Sequence, residues 1–100
     1  MSNETLSADS AATALEITDA LLARMIDQQR EKVLRQARQA VPHISSEDVM
    51  NPNDYPELKA HPTFDYEDGI LAGLISAQVA IRAELRRLIL PPTPPPPSFL

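Results

Sequence analysis

Two stretches of this chain repeat their apolar positions with a helical period. In the first, Leu15, Leu22, Met25, Ile26, Val33, Ala37 and Ala40 fall on one stripe, while Arg24, Asp27, Glu31, Arg35 and Arg38 fall opposite. That spacing predicts an amphipathic helix over residues 13 to 40. Thr13 followed by Glu16 has the spacing of a capping box and marks its start, with Ser10 as an earlier candidate. Val41-Pro42 marks its end, because the residue before proline is pushed out of the helical region and the ring cannot continue the ladder. Written as heptads, one seam position reads Leu15, Leu22, Gln29, Gln36 and the other Asp19, Ile26, Val33, Ala40. A seam that grows polar and thin in this way favours a short bundle over a long coiled coil.

The second stretch, residues 66 to 90, is apolar on more sides. Ile70, Leu71, Leu74, Ala77, Ile81, Leu85, Leu88 and Ile89 make a broad stripe, and Gly69, Ala72, Gly73, Ser76, Ala80 and Ala83 make a flank of small residues. Its start is expected near Thr63 or Asp65, with Asp65, Glu67 and Asp68 in the first turn; Arg82, Arg86 and Arg87 stand near its end. That order of charge complements the helix dipole. Each of the two glycines lowers helix propensity by about 1 kcal/mol relative to alanine, which points to close helix-to-helix approach. The plainer alternative is that Gly69 loosens the first turn and the small side chains are ordinary helix filling.

Between the two patterns, residues 42 to 64 carry Pro42, Pro52, Pro56 and Pro62, no glycine, and the apolar residues Ile44, Val49, Met50, Tyr55, Leu58 and Phe64. A flexible linker has a different composition. Ser45 ahead of Glu47 and Asp48 can start one short turn, and Asp54 ahead of Pro56 another. The expected architecture is all-α: an antiparallel helical hairpin joined by an ordered loop with short helical turns, whose apolar residues cap one end. Its expected core is Leu22, Ile26, Val33, Ile70, Leu74, Ile81 and Leu85.

A helix apolar on most sides expects neighbours on most sides, and one amphipathic partner covers one flank. Pairing two hairpins into a four-helix bundle by dimerisation supplies the missing cover. The residues expected at the interface are Gly69, Gly73, Ser76, Ala80, Ala83, Leu22, Ile26, Ile70, Leu74 and Ile81. A larger protein offering the same cover is the alternative.

Composition narrows the remaining choices. Residues 1 to 12 are small and polar apart from Met1 and Leu6 and are expected to fray; residues 91 to 100 (PPTPPPPSFL) favour extended polyproline II. The foldable part, residues 13 to 90, is small enough that staples or assembly become the usual sources of extra stability. Cysteine is absent, so assembly is the natural one. A net charge of -5, from 14 acidic and 9 basic residues, argues against a dominant nucleic-acid surface. The run Gly69 to Ile81 is too short for the roughly 20 residues of a membrane span, and the first residues lack the pattern of a secretory signal. No membrane partner and a cytoplasmic location are therefore expected.

No motif carries recognisable chemistry. His43 and His61 bracket Glu47, Asp48, Asp54 and Glu57 without metal-ligand spacing, and each histidine adjoins a proline. Asp65, Glu67 and Asp68 are explained by their helix start, with nothing to suggest a general acid and base. Arg24, Lys32, Arg35 and Arg38 interleave with Asp27 and Glu31 as a solvated face. No catalytic, cofactor or metal residue is predicted. Partner recognition is sought instead in Tyr55, Phe64 and Tyr66 near the loop, and in the overlapping PxxP spacings of the tail around Pro91, Pro94 and Pro97. The plainer reading of the same tail is an inert, solubilising spacer. These features describe a non-enzymatic scaffold or adaptor that self-associates. The alternatives are an accessory or chaperone-like subunit that docks on another protein and, more remotely, a metal-dependent protein built on the acidic loop.

Overall fold

The computed structural model describes residues 7–90, and every regular element among them is helical. The long helices are α1 (Ala8–Ala40) and α3 (Phe64–Ile89); between them come two single turns of 3-10 helix, Asp48–Met50 and Pro52–Asp54, and the short α2 (Pro56–Ala60). None of these helices is long and apolar enough to cross a membrane.

The first helix starts earlier than its capping-box spacing suggests. Ser7 is the N-cap, in extended backbone, and its Oγ accepts the Ser10 N–H at 3.1 Å. The Thr13 hydroxyl donates to the Asp9 carbonyl at 3.0 Å, so it sits inside the helix and caps nothing. Residues 8–12 thus belong to α1, which corrects the expectation of a frayed segment through residue 12. Two causes act together: Ser7 satisfies an orphan amide, and Ala8, Ala11 and Ala12 are the strongest helix formers available. The other end is where proline places it, with Val41 turned out of the helix at φ -130° and ψ 89°.

Residues 42–63 fold back over the C-terminal half of α1. The Ser45 Oγ accepts the Asp48 N–H at 3.1 Å, which starts the first short turn. At α2, Pro56 occupies the first turn as expected, but the cap position falls to Tyr55 and the Asp54 side chain makes no capping bond. These turns bring Ile44, Val49 and Leu58 onto Val33, Ala37 and Phe64, forming one buried cluster. Phe64, Leu58 and Val33 are its largest fully enclosed side chains. Leu34, Ala40, Val41, Tyr55 and Leu71 pack around it.

Contacts between α1 and the segment from His61 through α3 run in opposite senses along the chain. His61 meets Gln39, Thr63 meets Gln36, Glu67 meets Gln29 and Lys32, and Arg82 meets Asp19. The polar seam positions of α1 have particular duties here. The Gln29 amide donates to the Glu67 carbonyl at 2.8 Å, and the Gln36 Oε1 accepts from the Thr63 hydroxyl at 3.2 Å. Thr63 therefore spends its side chain on α1 and makes no side-chain cap for α3.

Burial is concentrated at the loop end. On α3 only Phe64 and Glu67 are buried, and from Asp68 to Leu90 every residue is half-buried or exposed. On α1 the buried residues are Ala12, Ile26, Val33 and Ala37. Of the expected core, Ile26 and Val33 are buried, whereas Leu22, Ile70, Leu74, Ile81 and Leu85 remain half-buried. Two helices cover one flank of each other, and past the loop no other described residue covers the rest.

Candidate interaction surface

The α1–α3 layer has two broad faces, and each carries apolar residues that the described residues leave uncovered. On one face lies a groove of about 630 Å³, walled by Val33 and Leu34 of α1, Val49 and Met50 of the loop, and Leu71, Ala72 and Ile75 of α3. Met50 stands 81 % exposed at its edge. The rim is mostly acidic: Glu31, Glu47 and Asp68 line it, with Arg30 as the one basic residue among them. Burial holds the Asp68 carboxyl above its ordinary range, reinforced by the nearby charge of Asp65 and opposed by Lys59.

The opposite face carries a shallower hollow of about 400 Å³ lined by Met25, Gln29, Lys32, Ile70 and Leu74 among others. Toward the far end, Ile17 and Leu21 precede Met25 at four-residue steps, so the three share one side of α1; all three are exposed. Ile70, Leu74 and Ile81 flank them from α3, half-buried.

Beside this hollow sits the one buried charge of the described residues. Glu67 is enclosed, and the Lys32 Nζ lies 2.8 Å from its Oε2 as an ion pair. That oxygen has no partner in hydrogen-bonding geometry, so the pair is held by charge and proximity. Lys32, half exposed to solvent, thus serves the fold as well as the basic face on which the sequence places it. Arg38 does the same in part, its Nε donating to the Ile44 carbonyl at 3.2 Å.

The back of α3 is the small-residue flank. Gly69, Ala72, Gly73, Ser76, Ala80 and Ala83 are all exposed, and a Cβ built on either glycine meets nothing within 4 Å. Among the described residues, then, no close approach accounts for the glycines. Among the aromatic candidates, Tyr66 is 71 % exposed and Tyr55 is half-buried against the core. Partial burial, and then the facing carboxylate of Asp48, hold the Tyr55 phenol above its ordinary value. Phe64 is fully enclosed, which corrects its place as a recognition residue: the α2 turn and Val33 close over it. Ile26 is likewise covered within the chain, while Leu22, Ile70, Leu74 and Ile81 are partly accessible. Pro91, Pro94 and Pro97 lie outside the described residues.

The histidines and acidic loop residues do not assemble. Among the described residues, no three His, Asp or Glu side chains gather where an ion could be held. The Thr63 N–H points at the His61 Nδ1 at 3.3 Å and the His61 Nε2 lies 2.8 Å from the Gln39 Oε1. An accepting Nδ1 places the proton on Nε2, which donates to Gln39. His61 thereby ties the loop to the end of α1.

The groove was not legible as a site in the sequence. Its walls come from three segments, and each of Leu34, Met50 and Ile75 looks locally like stray helix or loop filling. The one sequence signal is Ile75 and Val79, apolar at a four-residue step on a side of the helix that the main stripe does not include. Comparison of the chain with models of protein families, with curated proteins and with solved structures gives no match.

Proposed function

We propose that this chain is a non-enzymatic helical scaffold or adaptor, in which α1 and α3 form an antiparallel hairpin that pairs with a second copy to complete a four-helix bundle. The observation that carries this reading is the absence of any buried residue on α3 after Glu67, although that segment contains Leu71, Leu74, Ile75, Ile81, Leu85 and Leu88. Apolar surface left in water forgoes about 25 cal/mol per Å² of stabilisation, and a small domain has little to spare. A second hairpin supplies cover of matching length and chemistry. The small flank of α3 suits that role, because short side chains let helix backbones approach closely. The proline-rich sequence beyond Leu90 suits a spacer or ligand of the assembly.

Sedimentation equilibrium of the purified chain over a range of concentrations tests the proposal. A reversible monomer–dimer equilibrium is expected. A chain that stays monomeric and well ordered at high concentration refutes it, and a monomer that binds hydrophobic dyes points to a different protein as the natural cover.

A further inference from the structure

The two halves of α3 carry complementary chemistry on the same side. By helical spacing, Asp68, Ala72, Ile75, Val79, Arg86 and Leu90 share one side of the helix. The first three line the apolar groove, whose rim bears Glu31, Glu47 and Asp68 against the single cation Arg30. None of those three carboxylates has a salt-bridge partner among the described residues. The last three present the opposite chemistry: Val79 and Leu90 are 63 % and 54 % exposed, and Arg86 is exposed beside them. Arg82 and Arg87 are engaged by Asp19 and Glu84, whereas Arg86 has no carboxylate partner among the described residues. One end of this side is thus an acid-rimmed apolar groove, and the other is a basic helix end with bare aliphatic residues.

The spacing makes the two ends match across a two-fold axis. Asp68 and Leu90 are equidistant in sequence from Val79, about 16 Å along the helix in each direction. Two α3 helices placed antiparallel and crossing at Val79 bring the end of each to the start of the other. We propose that the groove is the docking site for the last turns of α3 from a second copy. In this register the partner's Arg86 faces Glu31, Glu47 and Asp68, and the partner's Leu90 covers the apolar floor near Met50. Ala72, Ser76 and Ala83 lie along the crossing, where short side chains permit the approach. The inference rests on the self-association proposed above and adds to it a register, a two-fold axis and an electrostatic lock. Isologous pairing of this kind closes at two copies, so growth into filaments is not expected.

The absence of cysteine makes the axis directly testable. A Val79→Cys chain carries its only thiol at the proposed axis, and a short bifunctional thiol cross-linker should convert it efficiently to covalent dimer. A Tyr66→Cys chain should not cross-link, because its two thiols would lie about 39 Å apart along the helices. Arg86→Glu should weaken the dimer roughly tenfold or more, since like charges then face one another across the rim. Adding Glu31→Arg and Glu47→Arg to Arg86→Glu should restore most of the affinity. Helicity by circular dichroism should stay unchanged throughout, as all three residues are exposed. If the wild-type chain dimerises but Val79→Cys fails to cross-link, or the charge swap fails to rescue, the register is wrong while self-association stands. If the wild-type chain is monomeric at every concentration, both proposals fall.

Discussion

Substitution of Gly73 separates what one chain needs from what an assembly needs. Gly73 lies mid-helix, and among the described residues nothing outside its own helix comes within 4 Å of its Cβ position. Within one chain Gly73→Ala therefore creates no clash and gains only helix propensity, about 1 kcal/mol. For a domain of this size that gain corresponds to a rise in melting temperature of about 4–8 °C. Leucine is nearly as good a helix former as alanine, so Gly73→Leu should also keep or raise helicity in dilute solution. The two variants part company if the small flank closes against a second copy. Extra methylenes forced into a packed contact cost about 1–3 kcal/mol, which weakens a dimer by roughly 5- to 150-fold. The assay has two arms: urea unfolding followed by circular dichroism at a concentration where the chain is monomeric, and sedimentation equilibrium at higher concentration. Gly73→Ala should stabilise in the first arm; Gly73→Leu should dissociate in the second, with its helix intact, if the contact reaches around α3 from the Val79 side to the small flank. Loss of stability in Gly73→Ala would show that the back of α3 is not open in the single chain. An undiminished Gly73→Leu dimer would remove the small flank from the contact.

Other perturbations probe the fold that carries this surface. Phe64→Ala empties the centre of the loop-end cluster and should lower unfolding free energy by about 3–5 kcal/mol; a loss below about 1 kcal/mol in urea denaturation would contradict the enclosure of that ring. Lys32→Ala strips the counter-charge from the enclosed Glu67 carboxylate. Because the lysine itself is half exposed to solvent, the loss should be about 1–2 kcal/mol, below that of a fully buried pair. Pairing that variant with Glu67→Gln in a double-mutant cycle should reveal coupling; additive effects would mean the pair does not interact. Asp68, held above its ordinary pKa mainly by burial, keeps its proton more readily in the folded than in the unfolded chain. Folded stability from this group therefore falls as pH rises through the carboxylate range, and the penalty is complete above the folded value. Asp68→Asn should flatten that slope between acid and neutral pH, and an unchanged pH profile would count against the burial of Asp68.

The helical class, the two long elements and the breaks at Pro42 and near residue 64 follow from local chemistry, because capping, proline geometry and periodic apolar spacing act over a few residues. The same locality explains why α1 starts earlier than its capping-box spacing predicts. Ser7 and Thr13 both offer caps, and the choice depended on how far an alanine-rich turn could extend once Ala12 found a place against the layer. Gln29 and Gln36 look like flaws in the seam until α3 is in place, when they meet the Glu67 carbonyl and the Thr63 hydroxyl. Phe64 offers a further contrast: an aromatic beside a loop reads equally as an anchor for a partner or for the core, and only the fold of Ile44, Val49 and Leu58 over it decides. The surplus of apolar surface on residues 66 to 90 was a matter of counting stripes against available partners, and so was present in the sequence. Where that surplus gathers was not. The acid-rimmed groove exists because α1, the 46–50 turn and α3 converge, and convergence of distant segments is set by tertiary packing, which no local pattern encodes.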